Sequence, residues 1–252
     1  MIKFIGAGPG DPELLTIKGK RAIDEADVIV YAGSLVNPDV LSGAKPTAVI
    51  HNSAYMNLDE VVSVLITSEK EGKKAVRVHT GDPSIYGAIR EQIDILEKNG
   101  IECEVIPGVS SFLAAAAVLK KEYTLPSKSQ TVILTRMEGR TPVPPKEKLI
   151  DLAKHNASMV IFLSVGFMDE LVRTLKEAGY RPDTPVAVVY KATWPDQKVL
   201  IATLDDIAEK VKESKIEKTA LTIVGDFLGN EYELSKLYDK HFTTGYRKGK
   251  EE

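Results

Sequence analysis

Short apolar runs alternate with longer amphipathic stretches along the chain, and this alternation limits the fold more than any other feature. Residues 3–7, 27–31, 74–79 and 102–106 read as buried strands. Between them the spacing predicts helices over 12–26, 59–71 and 88–99, with another over 110–119. Gly100 closes the third of these, and Pro12 suits the first turn of the first. The stretch 120–129 breaks the pattern and reads as a link. The pattern then restarts, with strands at 130–135, 158–163, 185–190, 198–202 and 220–224 and helices at 145–154, 167–178 and 204–213. The 252 residues leave room for two compact domains. The expectation is an α/β protein with an N-terminal domain over 1–120, a C-terminal domain over 121–240 and a tail over 241–252.

Composition removes whole classes of function. Lys plus Arg is 33 against 36 for Asp plus Glu, a net charge of -3, which argues against a nucleic-acid partner. Cys103 is the single cysteine, so an internal disulfide and a cysteine metal cluster are excluded, and its place between two glutamates on a strand reads as core. His51, His79, His155 and His241 lie too far apart for local ligand spacing, so no protein-bound metal is expected. There is no Gly-x-Ser-x-Gly elbow. The first residues lack a signal-peptide pattern, and no apolar run approaches the ~18 residues of a membrane span. A cytoplasmic protein with no membrane partner is the expectation.

Three loops follow successive strands of the first half. The first is Gly6-Ala-Gly-Pro-Gly-Asp-Pro. Asp11 stands where a dinucleotide fingerprint needs glycine, and no Gly-Lys-Ser/Thr ending marks a P-loop. Pro9 and Pro12 also lack N–H groups that could hold a phosphate. The loop suits close approach of a neutral or zwitterionic nucleoside, or simply a tight turn. The second is His79-Thr-Gly-Asp-Pro-Ser-Ile-Tyr-Gly, where Asp82 suits a ribose or an ammonium group, or ordinary turn chemistry. The third is Pro107-Gly-Val-Ser-Ser, whose hydroxyls read as ligand contacts or as helix caps. Their common position favours a site, because ligands of open α/β sheets bind outside the carboxyl ends of the strands. Trp194 reads equally as packing on a ligand or on a loop.

A local excess of positive charge lies between Lys120 and Arg140, with Lys121, Lys128 and Arg136 between them. In an acidic chain it suits a polycarboxylate ligand or a solvated linker. Arg90 lies just beyond the second loop.

The ordered series Gly6-Ala-Gly-Pro-Gly-Asp-Pro-Glu-Leu-Leu-Thr, Asp27-Val-Ile-Val-Tyr, Gly81-Asp-Pro, Pro107-Gly-Val-Ser-Ser, Pro185-Val-Ala-Val-Val, Pro195-Asp-Gln and Thr219-Ala-Leu-Thr-Ile-Val-Gly resembles the tetrapyrrole methylase family over nearly the whole chain. Within it, Tyr31-Ala-Gly-Ser-Leu-Val-Asn-Pro, Leu125-Pro, Gln130-Thr-Val-Ile-Leu-Thr-Arg and Gly139-Arg-Thr-Pro-Val-Pro resemble the group that methylates carbon 11 of precorrin-4 or cobalt-precorrin-4 in cobalamin biosynthesis. The resemblance implies two α/β domains with the active site in the cleft between them, S-adenosyl-L-methionine as cofactor, an anionic tetrapyrrole substrate and a homodimer. It implies cofactor contacts at Pro9, Thr80, Gly81, Asp82, Ile85, Ser110, Ser111, Leu163, Ala192 and Ala220. Arg136 and Arg140, then Arg90 and Lys120, are the candidates for the substrate carboxylates. No catalytic side chain is expected, since transfer of an already activated methyl rests on alignment.

The rival readings on the same scaffold are methylation of uroporphyrinogen III or of another precorrin position. More distant relatives act on a protein histidine derivative or on ribosomal RNA. An NAD(P)-dependent oxidoreductase matches the alternation but fails at Asp11, and a non-catalytic binding module would bind the cofactor without transferring its methyl.

Overall fold

The computed structural model describes residues 1–250. The chain divides into two compact units, Met1–Val118 with Lys191–Lys198, and Leu119–Tyr190 with the chain from Val199 onward.

The first unit is built on five strands, β1 (Ile2–Gly6), β2 (Val28–Tyr31), β3 (Val49–Asn52), β4 (Ala75–His79) and β5 (Cys103–Ile106), in the order β3-β2-β4-β1-β5. Every pairing in this sheet is parallel. Parallel strands covered on both faces must be apolar on both, and side chains alternate between the two. Ile5, Ile29, Val76 and Val78 pack on one face with Ala22 and Ile23 of α1 (Ile17–Asp24). Ile2, Phe4, Val28 and Val30 pack on the other with Val61, Val62 and Leu65 of α2 (Leu58–Lys70) and Leu96 of α3 (Ile89–Lys98). A fourth helix, α4 (Ser111–Leu119), follows β5. Cys103 is partly buried and packs against the second of these cores.

The second unit carries a second five-stranded sheet of β6 (Val132–Arg136), β7 (Ser158–Phe162), β8 (Pro185–Tyr190), β9 (Lys198–Thr203) and β10 (Ala220–Val224), ordered β6-β7-β10-β8-β9. Here the pairing is mixed. β6 and β7 are parallel, whereas β10 runs antiparallel to both β7 and β8. Its core joins Met159, Ile161, Val186 and Val188 to Leu171 and Leu175 of α6 (Met168–Glu177) and Ile207 and Val211 of α7 (Ile207–Glu213), with α5 (Leu149–Ala153) alongside.

Several elements differ from their sequence expectation. The helix expected over 12–26 is two elements, each with its own cap. Asp11 accepts from Glu13 N to open a 3-10 turn at Pro12–Leu14, Leu15 is extended, and Thr16 then accepts from Gly19 N to open α1. Residues 145–154 likewise split into a 3-10 turn, Pro145–Glu147, and the short α5. β3 was not anticipated, because its apolar content is two exposed residues, Val49 and Ile50, at the sheet edge.

Candidate active site

The loops that follow β1, β4 and β5 meet at the carboxyl end of the first sheet, where their glycines let three backbones touch. A Cβ on Gly6 would lie 2.5 Å from Gly108 N and 2.7 Å from Gly81 O, and one on Gly108 would lie 2.3 Å from Gly81 O. Gly8 and Gly81 exchange two backbone hydrogen bonds, Gly8 N to Gly81 O at 3.2 Å and Gly81 N to Gly8 O at 2.8 Å. Both lie at positive φ, 74° and 58°, where glycine carries no steric penalty.

Asp82 ties two of these loops together. One carboxylate oxygen accepts from Ser84 N at 2.9 Å, and the other accepts from Gly108 N across the gap at 2.9 Å. Ile85 N bonds back to Asp82 O, which closes the turn. The chain then passes through two non-glycine residues in the left-handed region, Tyr86 (φ 56°) and Ala88 (φ 50°), before α3 begins. Positions of this kind cost on the order of 1–3 kcal/mol each and concentrate at functional sites. Ser110 is buried, and its carbonyl accepts from Leu113 N and Ala114 N in the first turn of α4.

The glycine loop after β1 is clamped by Lys191–Lys198. Trp194 donates its indole N–H to Pro9 O at 2.8 Å, and its ring occupies the space a Gly10 side chain would need, 2.0 Å from the Cβ position. Thr193 Oγ1 accepts from Asp11 N at 3.0 Å, and buried Asn37 donates to Gly10 O at 2.8 Å. Lys191 lies 4.9 Å above the Trp194 ring and pairs with Asp196. Of the two readings open for Trp194, the structure displays loop packing. The sequence offered no pointer to this clamp beyond the presence of the lone tryptophan and the Pro-Asp-Gln that follows it. Ala192 is buried in the same segment.

In the second unit, Leu163 and Ala220 belong to one end of the sheet. Leu163 follows β7 directly, and Ala220 opens β10 opposite Tyr190. Leu163 is 64% exposed and sits at φ 54°, an apolar side chain held outward at a strained backbone position. A leucine gains nothing in stability from either property.

The basic candidates fare unequally. Arg136 ends β6 and spends its guanidinium on its own loop, donating to Met137 O (3.1 Å), Thr141 O (3.2 Å) and Pro142 O (2.7 Å). It shapes the loop that carries Arg140, which is itself exposed. Lys120 is exposed at φ 52°. Neighbouring Lys121 is spent on Gly229 O and Asn230 Oδ1. Arg90 lies on the first unit, 89% exposed in its side chain and paired with Asp94 one helical turn on.

The three loops fit S-adenosyl-L-methionine in their chemistry. Residues 6–12, 80–88 and 107–111 contain no Lys or Arg, they lose four N–H groups to Pro9, Pro12, Pro83 and Pro107, and they offer hydroxyls at Thr80, Ser110 and Ser111 beside two carboxylates. That set repels a polyphosphate and suits a nucleoside joined to a cationic sulfonium and an ammonium group. Among the described residues no group of three His, Cys, Asp or Glu side chains could hold a metal ion, and no helix is long and apolar enough to cross a membrane.

Comparison with known proteins agrees with the geometry. The family model for tetrapyrrole (corrin/porphyrin) methylases matches residues 1–208. The chain is 63% identical to the cobalt-precorrin-4 C(11)-methyltransferase of Methanocaldococcus jannaschii, over 97% of this chain and 95% of that one. It is 48% identical to the enzyme of the same name from Priestia megaterium, over 98% and 97%. Among solved structures, that of the cobalamin biosynthetic enzyme cobalt precorrin-4 methyltransferase, CbiF, superposes with a TM-score of 0.89 at 47% identity, over 91% of this chain and 96% of that one. The uroporphyrin-III C-methyl transferase of Thermus thermophilus, complexed with S-adenyl homocysteine, superposes with a TM-score of 0.74 at 28% identity, over 90% and 92%. The chain belongs to the tetrapyrrole (corrin/porphyrin) methylase family.

Proposed function

We infer that this protein is an S-adenosyl-L-methionine-dependent methyltransferase that methylates carbon 11 of cobalt-precorrin-4, or of precorrin-4, in cobalamin biosynthesis. The observation that carries this reading is the 63% identity to the Methanocaldococcus jannaschii enzyme across nearly the full length of both chains. The preference for the cobalt form rests on the same comparison, since the relatives named for the metal-free substrate are more distant, such as that of Pseudomonas aeruginosa at 45% identity.

The cofactor, when bound, supplies a methyl group already activated on a sulfonium. The chain then has to bind, align and keep water out. Pro9, Thr80, Gly81, Asp82, Ile85, Ser110 and Ser111 are the cofactor residues of the first unit in this reading, joined by Ala192 of the clamping segment and by Leu163 and Ala220 of the second unit. Asp82 acts largely by holding the second and third loops in register, since both of its oxygens accept from backbone N–H groups. The exposed Leu163 supplies an apolar surface for a cofactor or substrate face. Arg140, Lys120 and Arg90 are placed on the substrate carboxylates, with Arg136 fixing the loop that carries Arg140. The family resemblance also carries a cytoplasmic homodimer that needs no protein-held metal, and sedimentation of the purified chain checks the oligomeric state.

The test is an anaerobic incubation with S-adenosyl-L-methionine and either cobalt-precorrin-4 or metal-free precorrin-4, read by mass spectrometry. Gain of one methyl group, faster on the cobalt substrate, is expected. No gain on either substrate with cofactor binding intact overturns the assignment and favours uroporphyrinogen III as the acceptor.

A further inference from the structure

One cation of the first unit is buried at a cost that the fold does not need. Arg77 lies in the middle of β4 and is 6% exposed. Its hydrogen bonds go to neutral groups. Nε donates to Gln92 Oε1 at 3.2 Å, and Nη1 donates to Val30 O at 3.2 Å and to Val78 O at 3.3 Å. Burial alone pushes its pKa down to about 10, so it stays charged at neutral pH. Next along the same strand face, His79 is stacked on Phe4 and leaves Nε2 without a partner. Burial, and then the charge of Arg77, push it down to about 3, so it adds no charge of its own. A buried cation with no carboxylate costs several kcal/mol, and an apolar residue of similar volume would serve packing better.

What Arg77 does provide is orientation. A buried glutamine amide can turn over, exchanging its acceptor and its donor. The Arg77 donor at Oε1 fixes Gln92 so that Nε2 faces Ala88 O, to which it donates at 3.0 Å. Ala88 is the left-handed residue that opens α3 without any side-chain cap. Tyr86, two residues earlier, is also left-handed, and Gly87 between them has no room for a side chain, with Pro83 O only 2.1 Å from its Cβ position. Turns this strained persist only when their surroundings over-determine them.

We propose that Arg77 and Gln92 are positioning residues for the 80–88 loop: Arg77 orients Gln92, and Gln92 holds the Ala88 carbonyl so that the loop keeps the conformation presenting Thr80, Asp82 and Ile85 to the cofactor. This rests on the reading of that loop as part of the cofactor site.

Gln92→Glu separates positioning from packing. The new carboxylate gives Arg77 an ion-pair partner but takes the donor away from Ala88 O. The expected result is a melting temperature at or above that of the parent. Calorimetry should show S-adenosylhomocysteine binding weakened about fivefold or more, and KM for S-adenosyl-L-methionine should rise while kcat at saturating cofactor stays within about twofold. Gln92→Met, which removes both bonds, should weaken binding to a similar degree. Affinity within about twofold of the parent in both variants overturns the proposal, and so does a lowered melting temperature with unchanged affinity. Asp82→Ala serves as the reference for the underlying reading. If it too leaves affinity unchanged, the loop is not a cofactor wall; if it weakens binding while the Gln92 variants do not, only the positioning role is lost.

Discussion

The two units bring their candidate residues to the surface by opposite means. In the first, a wholly parallel sheet sends three loops to one edge, and glycine removes every side chain that would keep their backbones apart. In the second, a mixed sheet ends in a leucine pushed outward at positive φ and in a loop wired to a single arginine. One region is made by taking atoms away, and the other by holding atoms in a costly place. The contrast sets opposite signs for substitutions in the two regions.

The largest expected effect is in the glycine contact. Gly108→Val places a side chain 2.3 Å from Gly81 O and 2.8 Å from the Gly6 backbone, and neither can move without disturbing β1 and the two strands paired on it. Urea unfolding should show a loss of about 4 kcal/mol or more. A loss under about 1 kcal/mol would mean that the loops are loose and that their close approach is not a constraint. In the same region, Gly10→Ala collides with the Trp194 ring, and the second substitution Trp194→Ala should recover much of the lost cofactor affinity. If the double variant is no better than Gly10→Ala, the clamp is not what makes Gly10 necessary.

In the second unit, Arg136→Ala should raise KM for the tetrapyrrole about tenfold and leave S-adenosylhomocysteine affinity within about twofold, because three carbonyls of the loop lose a charged donor together. Arg136→Lys should rescue little, since an ammonium cannot reproduce the planar fork. Full rescue by lysine would point to charge alone. Leu163→Gly should act in the reverse sense from the first unit. Relief of the left-handed backbone stabilises the fold by about 1 kcal/mol, while activity falls. Loss of stability without loss of activity would reduce Leu163 to a structural role.

These signs also explain which parts were legible in the sequence. The loops of the first unit could be found because glycine, proline and aspartate report backbone geometry directly, and their placement after apolar strands, which are β1, β4 and β5 of one sheet, could be read from periodicity. The sequence did not display what Asp82 binds, because a carboxylate that accepts from Gly108 N looks the same in a sequence as one that meets a ribose. Arg136 shows the same limit, since composition is silent on the three carbonyls of its own loop to which it donates. Leu163 carried no chemical signal at all, since its exposure and its dihedral angle belong to the fold and not to the residue type, and it was reachable through the family resemblance alone. Strand β3 stayed hidden because a short edge strand with exposed Val49 and Ile50 has no period to detect. The antiparallel course of β10 depends on long-range pairing that local pattern does not encode.

The smallest expected effect is electrostatic. Asp206 accepts from Thr203 N at 2.7 Å, Thr203 Oγ1 at 2.9 Å and Lys210 Nζ at 2.8 Å. The Lys210 bond first, and then the two Thr203 bonds, hold its carboxyl well below the usual carboxylate range. A folded-state pKa below the unfolded value gives stability that is present above about pH 4 and is lost as the solution becomes more acidic. The difference in melting temperature between the parent and Asp206→Asn should therefore be widest near neutral pH and narrow below about pH 4. A constant gap across that range would show that these contacts stabilise the fold without the charge.

The most direct measurement is the position of the transferred methyl. The enzyme is incubated anaerobically with cobalt-precorrin-4 and S-adenosyl-L-methionine labelled with carbon-13 at the methyl, and the product is read by NMR. A single labelled methyl on carbon 11 is the expected result. A label on any other carbon, or none while S-adenosylhomocysteine still binds, would contradict the assignment.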